Sequence, residues 1–263
     1  VELFKVLFMN RFYSIILTLA LVPSFSAAQV AGIDYDWEEK RSKDGITLYT
    51  SAVEGSPFKA VRGTMNVKGS VKSLVGLVED LAACPEWAAM CEEARVVTRV
   101  SDVESYVYVF NNVPFPVSDR DVYAHVVWSI DQDSGRVTMT SQAAPGGVDE
   151  TKAVRLSEAF TQWHFTAQED GTVLVENFAH INPNGPTPAW ITNMLLVDAP
   201  YDSMFEMRKL IEGGAYEDVQ VSFLNVTQTG VPDSDPLAQD PLIPEVSIDQ
   251  ISESVPSEAT VTN

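Results

Sequence analysis

Basic residues are scarce in this 263-residue chain: 17 Lys and Arg stand against 37 Asp and Glu, a formal net charge of −20, and neither type occurs between Asn225 and Asn263. No basic stripe is available to displace the counterions of phosphates, so a nucleic-acid partner is not expected. Histidine is rarer still. His125, His164 and His180 are the three, at no metal-ligand spacing, and strand parity puts each opposite an apolar face. The chain lacks a Gly-x-Ser-x-Gly elbow, a phosphate loop and a dinucleotide fingerprint. The expectation is therefore no catalytic residue, no metal and no cofactor.

Cysteine is limited to Cys84 and Cys91, in Cys-Pro-Glu-Trp-Ala-Ala-Met-Cys. On one straight helix their α-carbons would stand about 10.5 Å apart, beyond the roughly 7 Å that a disulfide spans. Two partly buried free thiols are the expectation, unless the helix breaks after Pro85. Long hydrophobic runs are also few. Phe12 to Val22 follows Arg11 and leads into Pro23-Ser-Phe-Ser-Ala-Ala28, and a dozen apolar residues fall short of the roughly 20 that cross a bilayer. This reads as a secretory signal peptide over residues 1–28, cut before Gln29, with an uncleaved anchor as the alternative. An exported protein, periplasmic or secreted, is expected, and export makes a disulfide chemically possible.

What is present is the composition of a folded domain, with 45% apolar residues. Ile33 to Lys43 reads as a short amphipathic helix. Gly45 to Val53 and Phe58 to Val67 read as strands joined across Glu54-Gly-Ser-Pro57. Ser70 opens a helix to Leu81, and Pro85 a shorter one. Six antiparallel strands follow: Ala94 to Val100, Ser105 to Asn111, Asp121 to Asp131, Arg136 to Ala143, Lys152 to Gln168 with an irregularity near Ser157-Glu158, and Thr172 to Ile181. Trp190 to Ile211 is a long amphipathic helix that should kink at Pro200 and cover the apolar face of the sheet. After Asn225 the chain turns to Pro, Ser, Thr and acids, the signature of a disordered tail over residues 225–263.

The most informative run is Pro114-Phe-Pro-Val-Ser-Asp-Arg-Asp121. It starts a strand in which Arg120 shares a face with Val122, Ala124, Val126, Trp128 and Ile130, while Asp119, Asp121, Tyr123 and His125 point the other way. A cation heading an apolar surface fits a ligand cavity with one or two placed charges. It equally fits an arginine whose stem packs on the sheet and whose head reaches solvent.

This order of elements, with Trp37, Asp44-Gly45-Ile46, Leu48-Tyr49-Thr50, Lys59, Arg62-Gly63, Pro85-Glu86-Trp87, Cys91, the 114–121 run, Val154-Arg155, Trp163, Gly171-Thr172, Trp190 and Asn193, resembles the lipid-binding START domain from Tyr35 to Tyr216. The resemblance implies an α+β helix-grip fold over residues 29–224, a curved antiparallel sheet wrapped around a long C-terminal helix with an internal hydrophobic cavity. It implies one lipid or sterol-like ligand, carried between membranes with transient contact to their surfaces by a monomer. The loop 182–186 departs from the Gly-rich form associated with the family, and the acidic tail is extra.

Parity supplies the candidate ligand-binding residues: Arg120, Val122, Ala124 and Trp128, then Trp163, Asn177 and Ala179, and on the helix Trp190, Met194, Val197 and Tyr201. Arg120, Arg155 and Asn177 are the polar groups placed near the polar end of a ligand. Arg120 could read an anionic head group or pair with Asp121 or Glu176, and Arg155, alternating toward the polar face, favours an ion pair. Two other readings remain open. One is a helix-grip enzyme such as a cyclase or hydrolase acting on a hydrophobic substrate. The other is a passive sensor or scaffold whose tail recruits a partner.

Overall fold

The computed structural model describes residues 35–149, 151–184, 191 and 194–225. The proposed signal peptide, Trp190 and the acidic tail beyond Asn225 lie outside the described residues. Among the described residues ten strands form one sheet: β1 (Glu38–Lys43), β2 (Ile46–Ser51), β3 (Ala60–Lys68), β4 (Cys91–Arg99), β5 (Glu104–Asn111), β6 (Arg120–Ile130), β7 (Val137–Ala143), β8 (Val154–Arg155), β9 (Ala159–Ala167) and β10 (Thr172–Ile181). Their order is β1-β2-β3-β10-β9-β7-β6-β5-β4, with the two-residue β8 set parallel on β6. Every pair on the main path is antiparallel. Helices α1 (Val71–Glu79), α2 (Cys84–Trp87), α3 (Ala199–Glu212) and α4 (Ser222–Asn225) accompany it.

The first segment corrects the expectation of a helix. Glu38–Lys43 is a strand paired with β2 through Lys43↔Ile46. A mostly charged run after Trp37 mimics an amphipathic helix, but Asp44 and Gly45 both take positive φ, 52° and 70°, which is the two-residue hairpin turn that Asp-Gly favours. Three contacts, two to Asp44 and one to Arg41, then tie the hairpin to α3 and the residue before it. Tyr201 donates its hydroxyl to Asp44 Oδ2 at 2.6 Å, Arg208 donates to the Asp44 carbonyl at 2.6 Å, and Arg41 pairs with Asp198 at 2.7 Å.

The cysteines require a second correction. Helix α2 stops after one turn at Ala88, whose backbone is extended, and Met90 takes a φ of 67°. This reversal brings the Cys84 and Cys91 α-carbons to 5.9 Å, and the two residues form a disulfide. The straight-helix distance does not apply because the chain leaves the helix inside the interval.

The helix from Trp190 also differs from expectation. A π-helical turn, Met194–Asp198, precedes α3, and Pro200 lies in the first turn of α3 rather than at a mid-helix kink. There its missing N–H costs no hydrogen bond. Ser70 caps α1 as expected, its hydroxyl accepting from the Ser73 N–H at 3.0 Å. The expected strand 152–168 is broken at Leu156–Glu158 into β8 and β9.

The core lies between the concave sheet face and the helices. Phe165, Leu48, Met65, Val175, Met204 and Met207 are almost wholly buried there. Strand and helix approach closely at Gly63, where a Cβ would sit 2.4 Å from Met204 Sδ and 2.9 Å from Leu48 Cδ2. No described helix is long and apolar enough to cross a membrane.

Candidate ligand cavity

Beside this core the sheet and α3 part to leave a cavity of about 310 Å³, near the lower end of the roughly 300–1,000 Å³ usual for small-molecule sites. Strand parity makes its floor: Trp163 and Thr161 of β9 and Asn177, Ala179 and Ile181 of β10 share one face. The helical wall is Leu195, Leu196, Ala199, Pro200 and Ser203. Ala89 and Met90, inside the disulfide loop, form another side. The Ser203 hydroxyl donates to the Ala199 carbonyl at 2.8 Å and accepts from the Ala89 N–H at 2.9 Å, joining the disulfide loop to α3. A second cavity of about 410 Å³ adjoins the first and shares Lys59, Ile181, Pro183, Leu195 and Leu196 with it.

Arg120 lines the first cavity and is buried. Its partners are carbonyls, not carboxylates. Nε donates to Pro183 O and Nη2 to Asn184 O, each at 3.0 Å, and Nη1 donates to Ser118 O. Burial lowers its pKa, and Asp119 nearby opposes that shift. The guanidinium thus fastens the segment that leaves β10 to the start of β6. Among the described residues, the charged side chains on the cavity wall are Arg120 and the exposed Lys59, both cations.

Asp121 leaves the strand on the opposite side, and it is completely buried. Arg155 reaches it with Nε at 2.6 Å and Nη2 at 3.1 Å, Thr151 donates at 2.7 Å and Tyr108 at 3.1 Å. Burial pushes the carboxyl up, but the bonds from Arg155, Thr151 and Tyr108 outweigh it and the pKa is lowered. Arg155 is therefore in the ion pair that its alternation favours. Glu176 takes Arg62 at 2.6 Å on the same outer side of the sheet.

The remaining candidates divide by position. Trp163, Asn177 and Ala179 join Arg120 on the wall of the first cavity. Val197 lines the adjoining one. Trp128 faces a separate small chamber, Ala124 lies in the core and Val122 packs against it. Met194 is half-buried in the π turn and is on neither wall. Tyr201 is buried with its hydroxyl on Asp44, away from the cavity wall. Parity missed Met90 and Leu156, which reach the cavity from irregular backbone, and Ser203, a polar residue that a search for an apolar stripe passes over. None of the three histidines lines either cavity. His125 bonds Glu104, His164 bonds Thr138, and His180 bonds Ser56 and the Phe58 carbonyl.

Comparison with known proteins agrees with this geometry. An uncharacterized protein of Pseudomonas aeruginosa is 29% identical over 178 residues, 67% of this chain and 87% of the relative. The crystal structure of a STAR-related lipid transfer protein from Xanthomonas axonopodis (fragment 25–204) is 28% identical, covers 66% of this chain and 98% of its own, and superposes with a TM-score of 0.61. Human StAR-related lipid transfer protein 5, at 13% identity, shares the fold with a TM-score of 0.60 over 67% of this chain and 86% of its own. The START domain model matches residues 26–210, and the chain belongs to the START domain family.

Proposed function

We propose that the protein binds one lipid or sterol-like molecule in the cavity beside α3 and carries it between membranes. The observation that supports this most directly is the apolar hollow of about 310 Å³ between sheet and helix, with Arg120 at one side. Burial of apolar surface contributes about 25 cal/mol per Å², so an aliphatic or polycyclic body leaves water for this site without covalent chemistry or a cofactor. Membership of the START family and the likeness to the STAR-related lipid transfer protein of Xanthomonas axonopodis support the same ligand class.

The reading includes an exported, monomeric carrier that touches membrane surfaces transiently. The Cys84–Cys91 disulfide is in keeping with an oxidising compartment, and the segment Arg11 to Ala28 reads as a signal peptide. In the bound state Arg120 and Asn177 offer hydrogen-bond donors to the ligand from the wall.

Native mass spectrometry of the freshly purified protein, followed by transfer of fluorescent phospholipid and sterol between donor and acceptor vesicles, tests the proposal. A co-purifying apolar adduct in one-to-one ratio and protein-dependent transfer are expected. Absence of any adduct together with no acceleration of transfer would overturn it.

A further inference from the structure

A separate chamber of about 130 Å³ lies between β4–β7 and the α1–α2 region, room for about four water molecules at their liquid volume. Trp87 and Trp128 both line it, and in each the indole Nε1 is buried with no hydrogen-bond partner. Trp128 as a residue is only 4% exposed. Buried N–H groups without acceptors are rare and costly, and both of these belong to residues in the wall of one chamber. The rings are held in place. Trp128 packs on Phe165 and Phe223, with centroids at 6.5 and 5.6 Å, and Trp87 meets Trp163 edge-on at 5.8 Å. Trp163 is itself a wall of the cavity beside α3, so the Trp87–Trp163 contact joins a wall residue of each space.

We propose that this chamber is the inner end of the ligand site, and that Trp87 and Trp128 together bind a neutral oxygen at the leading end of the apolar ligand. The assignment rests on the carrier reading above and specifies its ligand class. An indole N–H only donates, so the bound group must accept. Ser105 and Ser141 add hydroxyls to the lining, while Val107, Val126 and Met139 keep it otherwise apolar. The charged residues there, Glu79 and Arg99, pair with each other at 3.4 Å and offset one another. An ionised head group would lose its hydration without gaining a counter-charge, which excludes a carboxylate or phosphate from this end. A hydroxyl, ketone or ether oxygen meets the requirement, and the body of the molecule then fills the cavity beside α3 once the Trp87–Trp163 edge contact opens.

The test uses the full-length protein and three probes of equal chain length: n-octane, 1-octanol and 2-octanone. Titrations are followed by ¹⁵N NMR of the indole N–H signals, with Trp87→Phe and Trp128→Phe used for assignment. Octanol and octanone are expected to bind about five- to tenfold more tightly than octane, the span of one or two neutral hydrogen bonds. They should move the Trp87 and Trp128 signals downfield where octane does not. Each Trp→Phe variant should reduce the preference for octanol and octanone over octane toward unity. Equal affinity for all three probes with unmoved indole signals would overturn the assignment and leave a chamber occupied by water alone, with the carrier reading intact. Failure of all three to bind would overturn the carrier reading for this class of ligand and the assignment with it. The wild-type comparison decides the matter even where a variant does not fold.

Discussion

Arg120 and Asp121 are neighbours in sequence and occupy opposite sides of β6. The guanidinium donates to the carbonyls of Ser118, Pro183 and Asn184 beside the cavity, and the carboxylate receives Arg155 on the other side. Two adjacent ions of opposite sign thus avoid pairing with each other, because the strand directs successive side chains to opposite faces. Asp121 holds β8 and the loop before it on the outer surface. Arg120 controls the segment that leads to the cavity's helical wall.

Replacing Arg120 tests this division. Arg120→Leu removes three charge-assisted bonds and should lower stability by about 1.5–3 kcal/mol, while release of a bound fluorescent fatty-acid or sterol probe becomes faster. Arg120→Lys should not restore slow release, because an ammonium is a point charge and cannot reproduce the planar fork that meets three carbonyls. Stopped-flow release and urea unfolding of the same samples separate the two effects. Unchanged release from a folded Arg120→Leu variant would count against the fastening role.

Reduction of the Cys84–Cys91 bridge should cost about 2–3 kcal/mol by the chain-entropy relation for so short a loop. The loss should reach the cavity because Ala89, within the loop, bonds Ser203 of α3. Thermal melts of the Cys84→Ser/Cys91→Ser variant, or of wild type with a reductant, should show a lower Tm and weaker probe retention. An unchanged melt on reduction would mean that packing alone holds the loop.

Two groups on the outer face should make stability fall with acid. His164 has its pKa lowered, first by burial and then by Arg136; its contribution is complete above the unfolded value of about 6.5 and is lost as pH falls through the lower folded one. Asp121, also lowered on balance, contributes above about 3.9 and loses its contribution as pH drops below that. Urea midpoints measured from pH 8 to pH 3 should therefore decline in two stages. His164→Gln should remove the upper stage only, and Asp121→Asn should cost stability at neutral pH by stranding Arg155, in the range of about 3–5 kcal/mol for breaking a buried pair.

Gly63→Ala should cost about 1–3 kcal/mol through overpacking, since the new methyl meets Met204 and Leu48 where α3 lies closest to β3. Ala179→Phe is the converse case. Its added volume enters the cavity of about 310 Å³, so the melt should hold while probe stoichiometry drops. Calorimetric melts and probe titration of both variants check the contrast.

Much of this architecture is legible in one dimension, and particular residues show why. The alternation from Arg120 to Trp128 and from Val173 to Ile181 has a strict period of two, so faces can be assigned from local chemistry alone. Glu38–Lys43 defeated the same logic because its residues are mostly charged, and only the Asp44-Gly45 turn distinguishes a hairpin from a helix. The disulfide was hidden because a distance along a helix is meaningless once Ala88 becomes extended and Met90 takes positive φ. Met90, Leu156 and Ser203 joined the cavity from positions without a periodic signal.

By itself, then, the sequence determined most of the elements, the inward and outward faces of the central strands and the family, because propensity and alternation act between near neighbours. The tertiary structure decided that Arg120 holds carbonyls while Asp121 holds Arg155, that the cysteines meet, and that two tryptophans with unpartnered indole nitrogens line one chamber. Those outcomes depend on groups such as Arg120 and Pro183, 63 residues apart. Which distant partner satisfies a buried polar group is settled only when the sheet has closed on its helices and water has been removed.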